Sequence, residues 1–308
     1  MPLDPIAKAL IDQMSAMQVP FAQIGAAAYR ALSNAAPRPP STVTLADISD
    51  RTIPGPGGPL PIRIYKASLA PAQPGLVFLH GGGFVICNLD SHDALCRALS
   101  KAAGCTVVSV DYRLAPEHKF PAAAEDAYAA GDWVFKNAAS LGIDPARIAT
   151  AGDSAGGNLA TVAAIMLRDR GGAQFCHQLL VYPVTDLTCG TESYNLLAQG
   201  YFLTREMMEW FIAQYLPAGH SVTDPLASPL HAPNLAGLPP ATVITAEYDP
   251  LRDEGEAYAK RLAAAGVAVE SKRYDGVFHG FFSMGGVLPQ ADQALAWATE
   301  RLRRAFKT

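Results

Sequence analysis

The sequence of 308 residues contains several stretches whose residue types and spacing suit nucleophilic chemistry. One is Gly152-Asp153-Ser154-Ala155-Gly156, a GxSxG pattern between an expected strand (147–151) and an alanine-rich helical stretch (155–170). A serine on a sharp strand-to-helix turn is held in a strained backbone conformation, and Cβ atoms on its flanking residues would collide with neighbouring chain. The helix start behind it offers free N–H groups and a favourable dipole to developing negative charge. By itself GxSxG arises by chance in roughly one such chain in ten, so the strand before, the helix after and a third glycine at Gly157 carry the reading. The ordinary alternative is a helix-start serine with glycines for close packing.

His80-Gly81-Gly82-Gly83 follows another apolar run, 76–79. Three successive glycines after a buried strand are costly in conformational entropy, so a backbone role is expected. N–H groups there can receive an oxygen that becomes negative on nucleophilic attack, the donors being Gly82 and Gly83 together with Ala155. A phosphate loop is a poor alternative, because neither GxxxxGK[ST] nor GxGxxG is present. His80 itself reads as a structural residue that fixes the loop.

A serine nucleophile needs a base and an acid to orient that base, in the chain order Ser, acid, His. Asp249 follows the run 241–246 at the end of an expected strand, with Glu247 and Asp253 as rivals; Asp253 is also explained by the dipole of the helix it starts. His279, between Gly276 and Gly280, is the one of seven histidines that follows the acid. His92, His118, His177, His220 and His231 are in the wrong order or in expected surface segments, and read as structural.

The elements that must carry these residues alternate in type. Residues 3–18 place Leu3, Ile6, Leu10, Met14 and Met17 on one helical stripe, and a second helix over 23–33 stops before Pro37-Arg38-Pro39-Pro40. From about residue 45, strands expected at 62–65, 76–79, 106–110, 147–150, 178–182, 241–246 and 267–274 alternate with helices at 90–103, 121–137, 155–170, 251–265 and 290–306. This predicts an α/β fold with a mostly parallel sheet and helices on both faces. Almost sixty residues interrupt the rhythm between Tyr182 and Ala241, including an aromatic and Met-rich helix over 204–215; insertions of that length are usually lids or functional segments.

Half of the residues are apolar and the net charge is −4, which excludes disorder and makes nucleic acid an unexpected partner. Asp4, Lys8 and Asp12 interrupt any signal-peptide core, and no eighteen-residue apolar run exists for a membrane span. The five cysteines form no CxxC pair, which fits reduced thiols in a cytoplasmic protein rather than a disulfide framework or zinc site.

With HGGG, GDSAGG and the late Asp and His, the chain resembles the bacterial hormone-sensitive-lipase-like esterases over nearly its whole length. Further matching stretches are Asp111-Tyr112-Arg113-Leu114-Ala115-Pro116-Glu117, Phe120-Pro121-Ala122-Ala123 and Tyr248-Asp249-Pro250-Leu251-Arg252-Asp253-Glu254. The resemblance implies one α/β-hydrolase domain over 1–308, with a helical cap from 1–45 and about 187–225. It implies nucleophile Ser154, acid Asp249, base His279 and oxyanion donors Gly82, Gly83 and Ala155. The implied activity is a carboxylesterase acting on short- to medium-chain acyl esters, with a small-molecule ester as partner and no cofactor or metal. A monomer or homodimer is expected. Phe84, Val85, Phe202, Met207, Trp210, Phe211 and Phe281 are candidates to line the substrate pocket, although such residues also pack cores. Rival readings are a hormone receptor like the plant gibberellin receptors, which resemble this family but lack the catalytic His, amide or thioester hydrolysis on the same triad, and a triglyceride lipase.

Overall fold

Buried strands and the helices between them build one sheet that is covered on both faces. The computed structural model describes residues 2–16, 19–36 and 40–308. Met17 of the expected helical stripe and Pro37, Arg38 and Pro39 lie outside the described residues. Two helices, α1 (Pro5–Ala16) and α2 (Phe21–Ala35), lead into a hairpin of β1 (Asp47–Gly55) and β2 (Gly58–Lys66). The chain continues through β3 (Gln73–Leu79), α3 (Asp93–Ala103), β4 (Thr106–Val110), α4 (Ala122–Lys136), α5 (Ala138–Leu141), β5 (Ile143–Asp153) and α6 (Ala155–Asp169). It ends with β6 (Gln178–Val181), α7 (Glu192–Leu196), α8 (Arg205–Tyr215), β7 (Ala241–Tyr248), α9 (Arg252–Ala264), β8 (Val269–Phe278) and α10 (Pro289–Phe306).

Among the described residues the eight strands form one sheet in the order β1-β2-β4-β3-β5-β6-β7-β8. β2 runs antiparallel to β1 and β4, and the remaining neighbours are parallel. The period of two divides the central strands between two cores. Val77 and Leu79 of β3 and Val108 and Val110 of β4 enter a core shared with α4, α6 and α9. Leu76 and Phe78, with Val107, enter the opposite core beneath α3 and α10. Both faces being buried is why these strands read as continuous apolar runs. Every residue of α6 from Ala155 to Leu167 is buried, so the helix behind the serine turn is fixed on all sides.

Two elements depart from the expected pattern. In α1 the wholly buried residues are Ala7 and Ile11, while Ile6 is 44% exposed; the covered stripe runs Leu3, Ala7, Leu10, Ile11 and Met14, one position round the helix from the expected one. The entry angle is fixed by Asp4, whose N–H donates to Gly276 O and whose carboxylate caps Ile6 N and Ala7 N. Strand β1 gave no apolar alternation because it is an edge strand in which Ile53 alone is buried; backbone pairing with β2 holds it.

The long insertion meets the N-terminal helices. Trp210 of α8 lies edge-on to Phe21 at 5.3 Å and to Tyr29 at 5.9 Å between ring centroids. Thr204 Oγ1 caps the start of α8 by accepting from Met207 N, and Lys119 Nζ donates to the carbonyls of Ala213, Gln214 and Leu216 at its end. Arg30 of α2 donates to Val85 O and Ala115 O, both at 2.7 Å, and pairs with Glu117. Asn158 in α6 anchors the insertion from below, donating through Nδ2 to Val184 O at 2.9 Å and Ala227 O at 2.8 Å.

His177 lies buried at the base of β6 against Thr242 Oγ1, and burial holds its pKa down to about 4 from 6.5. Between those two values the unfolded chain binds a proton that the folded chain does not, so this residue lowers stability as pH falls through that window. The wild type should therefore lose urea resistance relative to His177→Gln between about pH 7 and about pH 4.5, where the unfolded histidine titrates. A difference between the two proteins that stays constant with pH would contradict this.

Candidate active site

The end of β5 and the start of α6 meet at Ser154, whose backbone has φ 56° and ψ −122°. A non-glycine residue at positive φ outside a regular left-handed turn is strained and persists only where its surroundings enforce it. Here they do: a Cβ on Gly156 would fall on the Leu79 carbonyl and one on Gly152 on the Gly156 carbonyl, so β3, β5 and α6 touch through bare backbone. The turn is also held by hydrogen bonds, Ser154 N donating to Val181 O at 2.9 Å and Asn158 N to Ser154 O at 3.1 Å.

Asp249 follows β7 and His279 follows β8, its parallel neighbour. A register shift between Ala246 and Tyr248 brings Tyr248 opposite Phe278, so the two strand ends deliver the carboxylate and the imidazole side by side. His279 Nδ1 is 2.7 Å from Asp249 Oδ2, and His279 Nε2 is 3.0 Å from Ser154 Oγ. Asp249 is fully buried, and its other oxygen accepts from Leu251 N at 2.8 Å. The ring of Tyr182 lies 4.5 Å from that of His279 and limits its rotation. Of the rival acids, Glu247 accepts from Gly276 N and Asp253 accepts from Ser193 N and Arg252, so both face away from the imidazole.

The glycine loop after β3 bends through left-handed backbone at Gly82 (φ 114°) and Gly83 (φ 58°). Among the described residues the N–H groups of Gly82 and Gly83 make no hydrogen bond, whereas Gly81 N donates to Asp153 Oδ1 at 3.0 Å. Ala155 N, at the first position of α6, is one of the N–H groups that a helix leaves unpaired. His80 serves the loop rather than the chemistry. Its Nδ1 donates to Gly81 O, its ring stacks on Tyr112 at 4.3 Å, and Tyr112 Oη donates to His80 O. Burial and the neighbouring His92 bring its pKa down to about 3, so it is uncharged.

The expected pocket residues fall into three places. Phe84, Val85, Met207 and Phe211 are buried beside the loop, with Phe84 stacked on Tyr215 at 3.8 Å and Phe211 against Gly83. Phe202, 36% exposed, and Met207 line a groove of about 350 Å³ with Met14, Val19, Tyr29 and Leu32, and Trp210 stands behind Tyr29. Phe202 also approaches Gly280, next to His279. Phe281 lies elsewhere, fully buried against Tyr182 and Tyr274 in the core under α10. Two residues with no role expected from sequence stand directly behind the site: His92 and Asp153, with Nε2 and Oδ1 3.2 Å apart. Their separation in the chain gives no motif to find them by.

Comparison with known proteins agrees with this architecture. A family model described as alpha/beta hydrolase fold matches residues 76–283. The chain is 41% identical over 311 aligned positions to the carboxylesterase NlhH of Mycobacterium tuberculosis, covering 99% of this chain and 96% of that one. It is 42% identical to an ethyl acetate hydrolase of Pseudomonas putida over 80% of this chain and 79% of the other. Among solved structures, the hyperthermophilic esterase of the archaeon Pyrobaculum calidifontis superposes with a TM-score of 0.93 at 42% identity, covering 99% of both chains. The chain belongs to the α/β-hydrolase fold family, in the hormone-sensitive-lipase-like group that its HGGG and GDSAGG motifs resemble.

Proposed function

We infer that the protein is a serine carboxylesterase that cleaves short- to medium-chain acyl esters through Ser154, His279 and Asp249. The observation that carries this reading is the unbroken relay from Ser154 Oγ through His279 to the buried Asp249, at 3.0 Å and 2.7 Å. As Ser154 Oγ attacks the ester carbonyl, His279 Nε2 takes its proton, and Asp249 fixes the tautomer and stabilises the imidazolium. The carbonyl oxygen becomes negative and is met by the N–H groups of Gly82, Gly83 and Ala155, each such donor being worth ~10²–10³ in rate. His279 then gives its proton to the departing alcohol. Water enters, loses a proton to His279 and attacks the acyl carbonyl, and His279 returns that proton to Ser154 Oγ as the acid leaves. Relatives whose names describe ester hydrolysis support the same chemistry.

The helices α1 and α2 and the insertion carrying α8 form a cap over this site within a single domain. The groove beside Phe202 and Met207 is the path for the acyl or alcohol group, and its modest size favours short to medium chains. No described helix is long and apolar enough to cross a membrane, which is compatible with a cytoplasmic enzyme meeting small, dissolved esters as a monomer or homodimer.

Ser154→Ala should lower kcat by ~10⁴ or more while leaving the thermal unfolding midpoint near that of the wild type. Wild-type-like hydrolysis by that variant would sink the assignment. Across a series of p-nitrophenyl esters, kcat/KM should be higher for acetate, butyrate and hexanoate than for laurate and palmitate. A value that rises steadily to palmitate would overturn the chain-length reading.

A further inference from the structure

Behind the oxyanion loop lies a buried cluster that the acyl-transfer scheme leaves unused. His92 and Asp153 are 7% and 5% exposed. Asp153 Oδ1 is 3.2 Å from His92 Nε2 and 3.0 Å from Gly81 N. A carboxylate only accepts, so both nitrogens donate to it. The other ring nitrogen, His92 Nδ1, lies 2.8 Å from Ser91 Oγ. That hydroxyl also lies 2.7 Å from Asn88 O and accepts from Asn88 N at 2.9 Å. With Nε2 committed as a donor to Asp153 and Nδ1 against Ser91, both ring nitrogens are held and the ring is fixed in orientation. Burial pushes the Asp153 carboxyl up, but the charge and hydrogen bond of His92 outweigh it and leave the group below its ordinary range. His80, whose ring is 5.6 Å from that of His92, is uncharged.

We propose that His92 and Asp153 form a buried hydrogen-bonded pair that positions the oxyanion loop against the nucleophile turn. This rests on the reading of Gly82 and Gly83 as oxyanion donors. Asp153 immediately precedes Ser154, and Gly81 immediately precedes Gly82, so one carboxylate ties the two backbones together at the point where their spacing sets the donor geometry. The approach is close enough that a Cβ on Gly81 would lie 2.5 Å from Asp153 Oδ2. His92 holds that carboxylate ionised and stops it from turning away. Neither side chain touches the reacting atoms, so both are positioning residues. A donor displaced by a fraction of an ångström loses contact with the oxyanion more than with the bound ester, which lowers kcat at nearly constant KM.

The test combines a spectroscopic and a kinetic measurement on the full chain. In a long-range ¹H–¹⁵N spectrum of the wild type, His92, assigned through its own backbone, should show a protonated Nε2, the nitrogen that donates to Asp153. An unprotonated Nε2 would overturn the proposal without reference to any variant. Asp153→Asn and His92→Gln remove the carboxylate and the imidazole with little change in size. Each should lower kcat on p-nitrophenyl butyrate by ~10–100-fold, with KM within about twofold of wild type. The double variant should be no slower than the slower single one, because the pair acts as a unit. Single variants with wild-type kcat, or losses that multiply in the double variant, would also overturn it. If Ser154→Ala is inactive while these variants are normal, the positioning role alone fails; an active Ser154→Ala removes the serine mechanism itself.

Discussion

The close contact of β3, β5 and α6 through bare backbone is the constraint on which the rest of the site depends. Gly152 and Gly156 let the Leu79 carbonyl, the end of β5 and the first turn of α6 meet without side chains between them. That contact imposes positive φ on Ser154 and sets the glycine loop after β3 beside the serine turn. Strain of this kind costs on the order of 1–3 kcal/mol, and a helix buried along thirteen successive residues is the sort of surrounding that can sustain it. The energetic burden of the site is thus carried by packing remote from any substrate.

Around this fixed point the other groups are placed by devices of different kinds. Asp249 and His279 come from the ends of neighbouring parallel strands, and a register shift aligns those ends. The glycine loop is held from three sides, by Asp153 at Gly81, by Tyr112 at His80, and by Arg30 reaching Val85 O from α2. The insertion is fixed from below by Asn158 and from the side by Lys119. Polar side chains bonded to backbone carbonyls do most of this, which suits loops that lack a ladder of their own.

Much of this was legible in the sequence, for identifiable reasons. Strands buried on both faces leave apolar runs, and the helices between them leave a 3.6-residue period, so element type and order could be read from 62 onwards. The serine turn and glycine loop were visible because backbone contact demands glycine, which is conspicuous in a sequence. Features that depend on pairing across space were not. Strand β1 has one buried side chain and is held by its partner's backbone. The stripe of α1 rotated because Asp4 sets the angle of entry through bonds to Gly276 and the first turn. His92 looked like any surface histidine, since its meaning comes from a carboxylate sixty-one positions away. Phe281 followed the histidine closely in sequence, yet the turn after β8 sends it into the opposite core.

The division of Ser154, Asp249 and His279 between strands has a consequence for the history of each molecule. Asp249 and His279 belong to one β-α-β unit, β7-α9-β8, whose two ends lie thirty residues apart. Ser154 comes from a different unit, at a distance of 125 residues from His279, with β6 lying between the strands that bear the two halves. A chain emerging from the ribosome completes the serine turn long before His279 has been made. On the proposed mechanism, the hydroxyl then has no partner to take its proton until β6 and β7 dock and β8 is laid beside them. Reactivity through that relay would begin only with closure of the last strand.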